Sequence, residues 1–205
     1  MARSSQHRKT IKHYHEPGDV HELTFSCYHR LPLLANDAWR AMLAQFVDVT
    51  GEEQGFDLVA FVFMPEHLHL VVYPRSLPPN LPGYLAGIKE RMSKTIKAEL
   101  EQRHSPLLAK LTIQERPGKQ VFRYWQEGPG YDRNLQTQDA VINAIDYVHA
   151  NPVRRGLVKQ TRQWPWSSAR FYESQGIEHD PRAPRIQPLP PEFFQGYFGR
   201  KELPG

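Results

Sequence analysis

Residues 56–74 read FDLVAFVFMPEHLHLVVYP: two apolar runs, 56–64 and 67–73, separated only by Pro65 and Glu66. So short a break between two strand-length runs predicts adjacent antiparallel strands joined by a tight turn. Both faces of each run are apolar or aromatic, which places them at the centre of a sheet with helices covering at least one side. Side chains at i and i+2 of a strand leave the same face. His67 and His69 therefore point one way, while Leu68, Leu70 and Val72 point the other. Polar groups in such apolar surroundings cost free energy unless something satisfies them. The pair also follows directly on the turn, at a strand end where a site can stay open to substrate.

Outward from this hairpin, VHELTFSCYHR (20–30) has strand propensity. Residues 36–55 open on Asn36 or Asp37 as a cap and space Trp39, Met42, Leu43 and Phe46 as a helical stripe. Residues 80–102 form a second helix with Leu85, Ile88, Met92, Ile96 and Leu100 on one side and Arg91, Lys94 and Lys97 on the other. Pro106, Pro117 and Gly118 make 103–120 a loop, QVFRYWQ (120–126) is the fourth strand, GPGYDRN (128–134) is a turn, and 137–151 is a third helix that Pro152 ends. The order β-α-β-β-α-β with a further helix predicts an α+β fold, a ferredoxin-like antiparallel sheet with helices on one face. The expected organisation is a basic arm (1–15), one catalytic domain (16–172) and a Pro-rich tail (173–205) lying extended on the surface or disordered.

The bulk composition narrows the functional classes. With 205 residues the chain has room for one ordinary domain. A single cysteine, Cys27, rules out an intrachain disulfide and a multi-cysteine zinc site. No apolar run approaches the ~20 residues needed to cross a bilayer, and the polar first twenty residues carry no signal peptide, so a cytoplasmic protein without membrane contact is expected. Twenty-six Lys and Arg against 22 Asp and Glu give +4, a balance compatible with nucleic acid. Arg3, Arg8, Lys9 and Lys12 precede any acid and form either a DNA-contacting arm or a merely solvated tail.

Neutral imidazole is the commonest protein metal ligand, and two on one strand face can close on one divalent ion, although a sheet face can also carry two histidines with no ion. A third group is required, and Mg²⁺ or Mn²⁺ would complete its sphere with water and phosphate oxygen. In the third helix the stripe is Val141, Ala144, Ile145 and Val148; Tyr147 lies on its flank, in a row with Asn143 and Asn151. A phenol can act as a phosphate-attacking nucleophile, and Asn151, one turn on, could supply the third ligand through its carbonyl oxygen. Amphipathic tyrosine at a stripe edge is also ordinary packing.

Taken together, FVFMPEHLHLVVYP (61–74), YWQEGPGYDRNLQ (124–136), IDYVHANPVRRGLV (145–158) and WPWSSARFY (164–172) resemble the IS200-like single-tyrosine transposases of the HUH class, and most closely the REP-associated tyrosine transposases. The segments occur in family order over roughly residues 15 to 172. The resemblance implies that His67 and His69 bind a divalent ion with Asn151 as third ligand, and that Tyr147 attacks DNA to give a 5′-phosphotyrosine link. The implied substrate is single-stranded DNA folded into imperfect hairpins, with a tetranucleotide at the hairpin foot, often handled by a homodimer. The 103–120 loop and the Pro-rich tail depart from the compact family pattern.

Other residues keep two readings open. Tyr131 is a competing nucleophile. Glu66 orients a histidine, holds a water or caps the turn. Arg154, Arg155 and Lys159, and with them Arg91, Lys94 and Lys97, are candidate phosphate contacts, although Glu90 and Glu101 make the second group equally a solvated helix face. Trp164, Trp166 and Tyr172 either stack on bases or anchor the segment to the core. The alternatives to a strand transferase are a non-catalytic hairpin-binding protein and a ferredoxin-like metal- or RNA-binding module.

Overall fold

The computed structural model describes residues 19–75, 78–128 and 130–189; the basic arm with Arg8 and Lys9 lies outside them. The chain runs β1 (Val20–Ser26), α1 (Asp37–Gln54), β2 (Phe56–Phe63), β3 (His67–Pro74), α2 (Leu81–Gln102), α3 (Pro106–Leu111), β4 (Thr112–Arg116), β5 (Lys119–Phe122), β6 (Tyr131–Leu135), α4 (Gln138–Arg154) and α5 (Ala169–Glu173). Four strands form an antiparallel sheet in the order β2-β3-β1-β6, the ferredoxin-like arrangement.

Local chemistry sets the helix ends. Asn36 Oδ1 accepts from the backbone N–H of Ala38 and Trp39 to open α1, and Gly55, at φ 72°, closes it in the left-handed region. Asn80 caps α2 by accepting from Gly83 N–H. One face of the sheet (Leu23, Phe25, Phe61, Phe63, Leu68, Leu70) packs on Trp39, Leu43 and Val47 of α1 and Ile88, Met92 and Ile96 of α2. The other face buries Val59, Val62, Val71 and Leu135 against Val141, Ala144, Ile145 and Val148 of α4. Each Val, Leu, Ile, Phe or Met among them contributes roughly 1.5–3 kcal/mol of burial free energy. Helices thus share one face as expected for α1 and α2 only; α4 takes the face that carries the histidines.

Three expectations from the sequence are corrected. The 103–120 segment is not a loop: Pro106 starts α3 behind a Ser105 cap, and Pro117 with Gly118 (φ 78°) turns the β4–β5 hairpin, so its prolines and glycine punctuate structure instead of interrupting it. The fourth strand of the main sheet is β6, inside the predicted turn, because β1 has a free edge on which Tyr131–Leu135 complete a ladder; residues 119–122 pair only with β4. Pro152 lies within α4, which continues to Arg154. The ring fixes a helical φ but removes the N–H that would donate to Val148 O and crowds that carbonyl, a cost taken once, in the last turn. The end is set by Gly156 at φ 67°, whose N–H donates to Val153 O while Leu157 N–H donates to Pro152 O.

The segment 164–168 anchors rather than displays its tryptophans. Trp166 is buried, stacks on Phe63 and donates from Nε1 to Asp37 Oδ1 at 2.8 Å, and Trp164 Nε1 donates to Phe63 O. Phe63 N–H donates to Trp166 O and Ser168 N–H to Phe61 O, so this segment pairs along the outer edge of β2. Gln187 N–H donates to Leu58 O on that strand, and Ala183, Ile186 and Leu189 are buried, so residues 183–189 of the tail pack against the domain.

Candidate functional site

The strand register brings the site together. Ser26 stands opposite His67 and Thr24 opposite His69 on β1, and Tyr131 stands opposite Thr24 on β6. Because directly paired residues share a face, these side chains project together toward α4. The surface they form with α4 is a cleft of about 800 Å³ that also takes in Tyr147, Asn151, Arg154 and Arg155.

Each histidine is held through Nδ1. His69 Nδ1 lies 2.8 Å from Thr24 Oγ1, and His67 Nδ1 lies 3.1 Å from Glu66 Oε1, leaving Nε2 as the remaining nitrogen of each ring. The imidazoles meet edge to face with centroids 5.0 Å apart. Burial pushes His67 below its ordinary value despite the Glu66 carboxylate, and burial together with the neighbouring His67 pushes His69 down to about 3. Both are neutral at pH 7, the form with a lone pair to give a metal. Glu66 is itself buried and also pairs with Arg155, its Oε1 2.8 Å from Nη1, so it ties the end of α4 to the histidine strand.

Tyr147 is 40% exposed. Its ring stands edge-on to His69 at 5.6 Å, and the Arg154 guanidinium lies over it at 5.1 Å. Asn151 donates its amide N–H to Tyr147 O at 2.8 Å, which leaves its carbonyl oxygen as the atom it can present. His149, on the same helix, lies 2.8 Å from Ser168 Oγ through Nε2, fastening α4 to the segment on β2. Tyr147, His67 and His69 come from one chain.

The cleft gathers His67, His69, Tyr147, Asn151, Arg154, Arg155 and also Tyr131 among the residues singled out by sequence. It does not gather Lys159, which is exposed beyond α4, nor Arg91, Lys94 and Lys97, which lie on α2 across the sheet and pair with Glu53, Glu90 and Glu101. Sequence reasoning missed Thr24, Ser26, Glu22, Arg30 and Arg133 as site residues. Only the first two had a signal, since small polar residues alternating in a strand mark a solvated face. Among the described residues no cluster of three or more His, Cys, Asp or Glu can hold an ion, so an ion here would draw on Asn151 and non-protein oxygen. No described helix is long and apolar enough to cross a membrane.

No family model matches the chain. It is 28% identical over 124 residues to a Haemophilus influenzae protein provisionally named a REP-associated tyrosine transposase, the match covering 58% of this chain and 62% of the relative. The chain thus spans somewhat under two thirds of that relative's length. Among solved structures it is similar to a REP-associated tyrosine transposase bound to a REP hairpin, with TM-score 0.64 and 17% identity over 88% of this chain and 99% of that one. The resemblance read from the motifs is thereby supported in both sequence and fold.

Proposed function

We propose that this chain is a metal-dependent enzyme that cuts and rejoins single-stranded DNA at REP-like hairpins through Tyr147. One observation carries the reading: two neutral histidines, an asparagine oxygen and an accessible tyrosine share one cleft, lined by the guanidinium groups of Arg30, Arg133, Arg154 and Arg155. Likeness to a transposase solved with a REP hairpin supports the substrate class.

The donor set suits a divalent ion, which His67, His69 and Asn151 would hold; bound there, it would polarise the scissile phosphate. The chain's own part is distinct. The Tyr147 oxygen attacks phosphorus, the bond from phosphorus to the 3′ oxygen breaks, and the electron pair leaves on that oxygen, which is protonated from solvent as the phenol proton passes to solvent. DNA stays attached to Tyr147 by its 5′ phosphate until a 3′-hydroxyl attacks in the reverse sense. Thr24 and Glu66 fix the imidazoles, Arg154 fixes the phenol ring, and the arginines neutralise phosphates.

Hairpin oligonucleotides with a REP-like palindrome, labelled on the 3′ side, are incubated with protein and Mn²⁺ and run on denaturing gels. A covalent adduct lost in Tyr147→Phe and in EDTA is expected. Tight binding with no adduct in any divalent ion would leave a non-catalytic hairpin-binding protein and overturn the chemistry.

A further inference from the structure

The end of the cleft formed by Tyr131 and Arg133 of β6, Glu22 of β1 and Asn143 of α4 holds neither the ion nor the attacking phenol, and only Arg133 among these has been given a part, as a phosphate contact. Arg133 stands opposite Glu22 and Tyr131 opposite Thr24, which is itself opposite His69. Tyr131 and His69 therefore lie in one line across the sheet, roughly 10 Å or two strand spacings apart. Of the large apolar side chains left exposed among the described residues, the two aromatic ones, Tyr131 (52%) and Tyr147 (40%), both line this cleft. The chain before Tyr131 sits tightly on β1: Gly130, at φ 86°, lies so close that a Cβ there would clash with Thr24 O.

An aromatic ring exposed beside a row of cations is how single-stranded nucleic acid is held without pairing, the ring taking a base and the cations the backbone. Glu22 adds something that phosphate binding does not explain. It is buried, burial pushes its carboxyl up, and it would repel a phosphate, yet it lines the cleft with Oε2 2.8 Å from Arg133 Nη2. A carboxylate accepts from amino groups on base edges, and a guanidinium donates to ring nitrogen or carbonyl oxygen. Arg133 is about half exposed and has donors beyond those facing Glu22.

We infer that this end of the cleft is a nucleobase subsite, in which an unpaired base next to the scissile phosphate stacks on Tyr131 and turns an amino-bearing edge to Glu22 and Arg133. This rests on the reading of the cleft as a single-stranded DNA site. It makes Tyr131 a binding residue, not a second nucleophile.

The test is fluorescence anisotropy of the full chain, in EDTA, with a labelled stem-loop whose ten-nucleotide flanks are mixed-sequence, all-thymine or abasic. Tyr131→Ala is expected to weaken binding to the mixed-sequence flank about tenfold or more and to leave the abasic flank unchanged, with Tyr131→Phe close to wild type. Glu22→Gln is expected to abolish the preference for mixed over all-thymine flanks. Tyr131→Leu serves if the alanine variant melts early, because it keeps an apolar strand residue without a ring. Equal binding by wild type and the ringless variants on every flank overturns the subsite while the Tyr147 adduct still forms. Failure of wild type to bind any of the three overturns the underlying reading as well.

Discussion

At the residue scale, the site is built by groups that touch the histidines from behind. Glu66 reaches both His67 and Arg155, so its loss frees one imidazole and one end of α4 together. Glu66→Ala is expected to weaken Mn²⁺ binding 10- to 100-fold by calorimetry, and Thr24→Val to act similarly through His69. Cys27 is the opposite kind of residue. It is fully buried, and burial pushes its thiol up to about 12. It should resist iodoacetamide at pH 8 in the native protein and react at once in denaturant. The native state also holds this proton beyond the ~8.5 at which an unfolded cysteine ionises. Its contribution to stability is therefore full below that pH and is lost as pH rises toward 12.

At the scale of elements, two glycines separate backbone strain from steric contact. A Cβ at Gly156 would meet nothing within 4 Å, so Gly156→Ala carries only the left-handed backbone penalty at the end of α4, about 1 kcal/mol in a denaturant titration. Gly130→Ala adds a clash with Thr24 O. It is expected to cost roughly 2–3 kcal/mol and, by displacing β6, to weaken DNA binding as Tyr131→Ala does. The same strand explains why the sequence misled here. The run Gly-Pro-Gly at 128–130 is of residue types that signal a turn in a sequence, and YDRNL has neither the alternation nor the apolar content of a strand; only the unpaired edge of β1 makes it one. The helices α1 and α2 and the hairpin of 56–74, by contrast, agree with the sequence to within a residue, because their stripes and caps are local, whereas α4 runs three residues past its expected end.

At the scale of the molecule, cations divide into two populations. Arg30, Arg133, Arg154 and Arg155 surround the cleft, whereas Lys94 and Lys97 are matched to Glu90 and Glu101 on the far side of the sheet. Replacing Arg154 or Arg30 by alanine should lower the slope of log K against log salt by about 0.7 for single-stranded DNA, and replacing Lys94 or Lys97 should leave it unchanged. The tail belongs to the same scale. Ending the chain at residue 182 removes Gln187 from the β2 edge and Ala183, Ile186 and Leu189 from the core, so a lower melting temperature and aggregation through the uncovered edge are expected, read by calorimetry and light scattering. By itself the sequence determined the central hairpin, the common face of His67 and His69, and the flank position of Tyr147 and Asn151, because strand alternation and helical period are fixed by backbone geometry. Only the tertiary structure decided that α4 lies on the histidine face, that β6 carries Tyr131 and Arg133 to it, and that α2's cations lie elsewhere. Those relations join residues about forty to more than a hundred positions apart, and they depend on which edge and which face remain free to be covered.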